Sequence, residues 1–409
     1  MTNEVKNVPE LRFPGFSGEW EEKKLGEISE KPMYGIGASA TNFDGENVYV
    51  RITDINEKNR TLINSTLTSP DTIDLKYNLS KNDILFARTG ASTGKTYIHK
   101  NYDKNKTYYF AGFLIKFKIN NSSIPEFVFQ YTFTNNYHNW VATMSIRSGQ
   151  PGINSEEYSK MSLYLPSYSE QQKIGEFFSK LDQQIELEEK KLALLEEQKK
   201  GYMQKIFSQE LRFKDENNYS DWNHFKLKDI TVSLKGQEST TKELPILTIS
   251  ASRGWLNQKE RFSQVIAGNS LRKYTHIKKG DLSYNKGNSK LAKYGIVYML
   301  KEDEALVPNV YKSFRPNNNI DSYFLEKYFH NKSVDRQLRT KISSTARMDG
   351  LLNISDKDFY EVKLQIPSYS EQRKIGSFFR KFDELILKQS DKVELLKKRK
   401  KGFLQKMFI

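Results

Sequence analysis

The chain has 409 residues, no cysteine, and 65 lysines and arginines against 50 aspartates and glutamates, for a formal net charge of +15. That length favours two or more domains over one core, the missing cysteines exclude disulfide frameworks, cysteine-ligated zinc and thiol nucleophiles, and 13% aromatic with 37% hydrophobic residues excludes global disorder. A balance this basic favours a polyanionic partner, because each phosphate met by Lys or Arg releases counterions.

The start, Met1 to Glu10, is polar and lacks the apolar core of a signal peptide. No run approaches the ~18 apolar residues that span a bilayer. The expectation is a soluble, cytoplasmic protein with no membrane partner.

A first globule occupies residues 1–165. "ENVYVRITDI" (Glu46 to Ile55) reads as a strand rich in β-branched residues, and Ile124 to Tyr137 as a short aromatic helix. "PDTIDLK" (Pro70 to Lys76) contains residue types of a nuclease metal site, but Asp71, Asp74 and Lys76 crowd into seven positions, where a strand would split them between faces. A turn is expected there. "GASTGKT" (Gly90 to Thr96) falls one residue short of a phosphate-binding loop, since the glycine required before Gly94 would stand at position 89, which is Thr89. On this reading Lys95 is free for a DNA phosphate.

Residues 166–208 form a first long helix. Ser167-x-x-Glu170 just after Pro166 matches a capping box. From Ile174, steps of four and three visit Phe178, Leu181, Ile185, Glu188, Leu192, Leu195, Lys199, Tyr202 and Ile206, a heptad seam with two polar positions. A second globule, residues 209–366, contains a strand in "ELPILTISAS" (Glu243 to Ser252) and an aromatic helix at Ile320 to Val334. Residues 367–409 repeat the long helix, with Ser368-x-x-Glu371 and a seam through Ile375, Phe379, Phe382, Ile386, Gln389, Val393, Leu396, Lys400, Phe403 and Met407.

The two helical segments agree at 23 of 42 positions when Pro166 to Phe207 is laid on Pro367 to Phe408. The chain is a tandem duplication. Fainter echoes extend upstream: "ELRF" at Glu10 and Glu210; Trp20, Leu25 and Ile28 against Trp222, Leu227 and Ile230; "KNDILFAR" (Lys81 to Arg88) against "KKGDLSYNK" (Lys278 to Lys286); and Ile124-Pro-Glu-Phe127 against Ile320-Asp-Ser-Tyr323.

Forty helical residues reach ~60 Å, longer than a small globule is wide, so each helix requires a long partner; the alternative is a helix lying on its own globule. The first segment carries seven basic against eight acidic residues and the second twelve against five, which disfavours self-pairing of the second helix between molecules. The expected fold is therefore α+β: two pseudo-repeated mixed α/β globules separated by two long helices that form an intramolecular antiparallel coiled coil.

Several loops combine a basic residue, small flexible residues and hydrogen-bonding side chains: "ARTGASTGK" (Ala87 to Lys95) and "SIRSGQPG" (Ser145 to Gly152) in the first globule, and "ASRGWLNQ" (Ala251 to Gln258), "YNKGNSKLAK" (Tyr284 to Lys293) and "SSTARMDG" (Ser343 to Gly350) in the second. Arg and Lys reach guanine O6 and N7, Asn and Gln pair with adenine, and hydroxyls bind phosphate. The candidate DNA-contacting residues are Arg51, Arg88, Thr89, Ser92, Thr93, Lys95, Arg147, Ser148 and Gln150 in the first globule, and Ser252, Arg253, Lys286, Asn288, Ser289, Lys290, Lys293 and Arg347 in the second. The histidines at 99, 138, 224, 276 and 330 show no metal-ligand spacing, and neither an amino-methyltransferase Asn-Pro-Pro-aromatic tetrapeptide nor a dinucleotide fingerprint occurs. No catalytic residues and no metal ligands are expected.

"LPSYSEQQKIGEFF" and "IPSYSEQRKIGSFF" at the helix starts, Gly201, Gln204, Lys205 and Gly402, Gln405, Lys406 at their ends, and "PELRFPGFSGEW" near the beginning give the whole chain a resemblance to the specificity subunits of type I restriction-modification systems. The resemblance implies that 1–165 and 209–366 are target-recognition domains, each reading half of a bipartite, asymmetric site in double-stranded DNA, and that 166–208 and 367–409 are spacer helices. It also implies two modification subunits that dock on the helices and methylate flipped-out adenine, and restriction subunits that translocate and cleave. S-adenosylmethionine, ATP and Mg would be used on those other subunits, with no cofactor on this chain. Two other readings compete: a self-sufficient DNA-processing enzyme, which needs a catalytic constellation, and a coiled-coil scaffold without nucleic acid, which leaves the basic loops unexplained.

Overall fold

The computed structural model describes residues 7–100, 103–146, 149–213, 221–236, 244–258, 274–287, 289–342 and 351–409. The chain divides into two compact units, Met1–Lys190 with Ser390–Ile409, and Lys191–Gln389. The division falls within both long helices rather than at their starts.

In the first unit the strands are β1 (Glu21–Lys24), β2 (Met33–Tyr34), β3 (Ala40–Asn42), β4 (Asn47–Val50), β5 (Thr68–Pro70), β6 (Ile84–Ala87), β7 (Thr96–Ile98), β8 (Thr107–Phe110), β9 (Leu114–Phe117) and β10 (Ser162–Leu165). A four-stranded sheet in the order β2-β9-β6-β7 is flanked by the pairs β1-β10, β3-β5 and β4-β8. The helices are α1 (Pro125–Tyr131), α2 (Asn135–Met144), α3 (Ser155–Ser159) and the 40-residue α4 (Tyr168–Phe207). The strand expected over Glu46 to Ile55 ends at Val50, because Ile52–Asp54 coils into a 3₁₀ turn closed by Asp54. The helix expected over Ile124 to Tyr137 breaks at Thr132 to Thr134, where the Thr134 hydroxyl accepts from Tyr137 N and starts α2.

The second unit repeats this plan with β11 (Asn223–Lys226), β12 (Thr231–Leu234), β13 (Leu247–Ser250), β14 (Gly254–Asn257), β15 (Thr275–Lys278), β16 (Leu282–Asn285), β17 (Ile296–Met299), β18 (Glu304–Val307), β19 (Lys312–Pro316) and β20 (Lys363–Ile366). Its four-stranded sheet runs β12-β19-β16-β17, with β11-β20, β13-β14 and β15-β18 as pairs. The helices are α5 (Leu227–Ile230), α6 (Ser322–His330), α7 (Asp335–Lys341), α8 (Asp356–Tyr360) and α9 (Tyr369–Met407).

Neither globule closes its core alone. In the first unit Trp20, Phe86, Phe117, Phe127 and Tyr158 pack with Ile174 and Phe178 from the start of α4 and with Leu404, Met407 and Phe408 from the end of α9. In the second unit Trp222, Phe314, Phe324 and Phe359 pack with Ile206 and Phe207 from the end of α4 and with Ile375 and Phe379 from the start of α9.

Within each unit the two helices run antiparallel. Phe177 meets Phe403, Asp182 meets Lys400 at 2.6 Å and Glu188 meets Lys392 at 2.8 Å in the first unit; Lys199 meets Asp383 at 2.5 Å and Tyr202 meets Phe378 in the second. Every seam position read from the sequence is buried or half-buried except Tyr202. The polar seam residues Glu188, Lys199 and Lys400 each bridge to the facing helix.

The repeated "PSYSEQ" stretch acquires a purpose here. Ser167 and Ser368 cap their helices, accepting from Glu170 N at 3.4 Å and Glu371 N at 3.3 Å. The carboxylates do not close the capping box. Glu170 instead takes Arg12 Nε and Nη2, and Glu371 takes Arg212 Nε and Nη2, every one of these bonds at 2.7 Å. Gln171 and Gln372 donate to the carbonyls of Pro166 and Pro367 and accept from Ile124 N and Asp321 N. That equivalence sets Ile124 against Asp321, one place off the register suggested by the sequence echo. Gly175 and Gly376 permit this approach, since a Cβ at Gly376 would stand 2.7 Å from Asp321 Oδ1.

Candidate nucleic-acid interface

The loops singled out in the first globule come together beside one end of its four-stranded sheet. Arg88 follows β6 directly; Thr89 forms an isolated bridge with Gly152, Gly90 N donates to the Pro151 carbonyl and Ile153 N to the Arg88 carbonyl. The segment before Asn154 is thereby stitched onto the segment after Ala87. Ser92, in the 3₁₀ turn Gly90–Ser92, and Thr89 are half-buried, Gln150 is exposed, and the Thr93 hydroxyl donates to the Gly90 carbonyl at 2.8 Å. Arg147 and Ser148 lie outside the described residues.

The second unit repeats the arrangement. Lys286 follows β16, Gly287 bridges to Leu351, and Leu352 N donates to the Lys286 carbonyl at 2.8 Å. The equivalence is local and exact in sequence terms too: Asp83 and Asp281, each five residues earlier, accept from the backbone N–H three positions before them, Ser80 and Lys278. Ser252 and Arg253 are exposed in the turn between β13 and β14, tied to the sheet through Asn285 Nδ2 on the Ile249 carbonyl and Tyr298 OH on the Ala251 carbonyl. Ser289, Lys290 and Lys293 are exposed, Lys293 resting over the Tyr294 ring. Asn288 and Arg347 lie outside the described residues.

One candidate is corrected and a second is found already paired. Lys95 is not free for a phosphate: it is 8% exposed, and its Nζ donates to Glu57 Oε1 at 2.6 Å and to the Ile52 carbonyl at 3.1 Å. A lysine this deep requires a carboxylate to offset its lost hydration, and Glu57 supplies it. Arg51 is engaged as well, with Nε and Nη2 on the two oxygens of buried Asp54, which holds the guanidinium pKa above its ordinary value.

Arg88 is different. It makes no ion pair with any described residue; its guanidinium lies 5.0 Å from the Tyr34 ring centre and 5.8 Å from that of Phe113, and its buried Nε has no acceptor among the described residues. Tyr34 and Phe113 were not selected from the sequence. Their signal was available in Gly35 and Gly112, the glycines beside them: a Cβ on Gly35 would lie 2.3 Å from the carbonyl oxygens of Phe110 and Ala111, so only glycine lets the end of β2 press against the turn that carries Phe113.

The tempting catalytic stretches are spent on backbone. Asp71 accepts from Ser39 N and Asp74 from Lys76 N, both at 2.9 Å, so "PDTIDLK" is a turn. "GASTGKT" leads into strand β7, whereas a phosphate-binding loop opens a helix. Among the described residues no group of three His, Asp or Glu side chains could hold a metal ion, and no helix is long and apolar enough to cross a membrane.

Comparison with known proteins identifies the family and the fold. The family profile described as the type I restriction modification DNA specificity domain matches residues 17–197 and again 219–397. The type I restriction enzyme MjaVIII specificity subunit of Methanocaldococcus jannaschii is 23% identical over 349 residues, which cover 79% of this chain and 77% of that protein. Among solved structures, the type I restriction-modification S subunit from M. genitalium superposes with a TM-score of 0.66 at 15% identity, covering 98% of this chain and 99% of that one, which supports the shared fold.

Proposed function

The chain belongs to the type I restriction modification DNA specificity family, whose domain it carries twice, and on that premise we propose that it reads a bipartite, asymmetric DNA site with one half-site per unit. It is the non-catalytic recognition component of its system. The single observation that carries the reading is the recurrence, in both units, of a basic strand end with a second loop stitched beside it: Arg88 with the Thr89–Gly152 bridge, and Lys286 with the Gly287–Leu351 bridge. The stitched strand end recurs through the duplication, and in both copies the residue that leaves it is a cation, Arg88 or Lys286.

The helix pair then serves as the spacer between half-sites and as the landing surface for two modification subunits, with restriction subunits completing the assembly. Adenine methylation would use S-adenosylmethionine on the modification subunits, and translocation and cleavage would use ATP and Mg on the restriction subunits. This chain would work in the cytoplasm and hold no cofactor of its own. The net charge of +15 supplies the sequence-independent attraction to duplex DNA.

The test is reconstitution with the modification subunit. The mixture should methylate adenines in one split motif, and the chain alone should methylate nothing. Methyl transfer by the lone chain would point to a self-sufficient enzyme; absence of sequence-selective binding in the mixture would point to a scaffold.

A further inference from the structure

We propose that Arg88 and Phe113 form a base-reading pair for the first unit's half-site, Arg88 taking the O6/N7 edge of a guanine in the major groove and Phe113 the 5-methyl of a thymine in the adjoining base pair. The inference rests on the DNA-reading function proposed above and adds which side chains read bases there and which bases they select.

Backbone geometry ties the two together. Arg88 leaves β6 as Phe113 enters β9, and Arg88 N donates to the Phe113 carbonyl at 3.1 Å, so their spacing is fixed by the four-stranded sheet. The guanidinium is held between Phe113 and Tyr34, and Tyr34 is itself anchored by its hydroxyl, which accepts from Ser155 N at 3.1 Å. No described carboxylate competes for it. Arg51, by contrast, is consumed by Asp54. An arginine clamped by rings has surrendered rotamer freedom before it meets a ligand, and its planar fork matches guanine O6 and N7.

Phe113 is 59% exposed. A large apolar ring kept in water beside a guanidinium that no described carboxylate pairs does nothing for the unit's own core, and the thymine methyl is the apolar feature that the major groove offers to such a ring. The second unit also brings a cation and an exposed apolar side chain to one place. Lys286, directly after β16, and Val310, 43% exposed in the turn before β19, line the same cavity. A cation near an exposed apolar residue thus recurs with other side chains, as two half-sites of unlike sequence require.

The test uses the full chain with its modification subunit and duplexes carrying the mapped site. In the wild type, 7-deazaguanine, which lacks N7, should slow methylation about 10-fold at one guanine of the first half-site, and uracil for thymine, which lacks the methyl, should slow it several-fold at the adjoining pair, within the roughly 5- to 150-fold range of a single base contact. Arg88→Ala should lose sensitivity to 7-deazaguanine and Phe113→Ala sensitivity to uracil, while the second half-site stays as strict as before. Unchanged melting of both variants shows that the side chains were removed without unfolding. If the wild type has no such neighbouring pair of sensitive bases, or if both variants keep the wild-type sensitivities, the base-reading pair is wrong while DNA reading stands. A wild-type chain that selects no first half-site at all would overturn both.

Discussion

Arg12 clasps Glu170 through two 2.7 Å hydrogen bonds, and the carboxylate is entirely buried beneath it. Arg212 does the same to Glu371. Each clasp ties an "ELRF" segment to the start of a long helix, and each such segment also docks on a helix end, Leu11 N on the Lys406 carbonyl at 2.7 Å and Leu211 N on the Lys205 carbonyl at 3.0 Å. Arg12→Ala would strand a buried carboxylate, and we expect it to destabilise the first unit by about 3 kcal/mol. A double variant, Arg12→Leu with Glu170→Leu, should recover much of that loss. Denaturant titration of the three proteins checks it, and equal destabilisation by the single and double variants would show that the clasp is not what matters.

Phe408 stands near the end of α9 yet completes the core of the first globule, against Phe127 at 5.0 Å, Phe178 at 5.8 Å and Trp20 at 6.4 Å between ring centres. Phe408→Ala should cost about 3–5 kcal/mol and open the first globule to limited proteolysis. The reciprocal variant, Phe207→Ala, should expose the second globule, where Phe207 packs on Trp222, Phe324 and Phe379. Cleavage confined to the helices in either variant would contradict this account of how the cores close.

These helix ends also show what could be read from residues alone. The duplication, the seam and its antiparallel pairing were legible because a heptad repeat and a charge imbalance are local patterns. The division of the units was not: Ile206 and Met407 look like the last seam positions, Phe207 and Phe408 simply follow them, and nothing along the chain says that all four fill a globule. The partner of Lys95 was hidden for a similar reason, since Glu57 lies 38 residues away, whereas Arg51 and Asp54, three residues apart, form a pair that spacing could have found. Glu170 and Glu371 fitted a capping box, but a buried arginine fork outbid the backbone N–H that the box would have served.

Lys95→Met should therefore behave as a stability variant. We expect a lower melting temperature with the salt dependence of DNA binding unchanged, since the salt slope counts phosphate contacts and Lys95 makes none on this account. A shallower slope at unchanged stability would restore Lys95 to the interface.

Burial pushes the His99 imidazole down to about 4 from its ordinary 6.5; the ring is 1% exposed and its Nδ1 faces Tyr97 OH at 3.1 Å. The folded state keeps this histidine neutral while the unfolded chain takes up a proton. Its contribution is therefore whole above pH 6.5 and drains away as pH falls toward 4, by up to about 3 kcal/mol. His99→Phe should flatten the stability profile of the first unit across that window relative to wild type, and parallel profiles would show that His99 takes up its proton equally in the folded and unfolded states.

The central claim is that the helix pair sets the distance between two DNA readers, and the most direct measurement is the methylated motif of a lengthened protein. One heptad inserted after Lys190 and another after Gln389, in register, adds ~10 Å to each helix, close to three base pairs of duplex. The account predicts that the mapped motif keeps both half-sites and gains about three base pairs between them; a motif with its original spacing would contradict it.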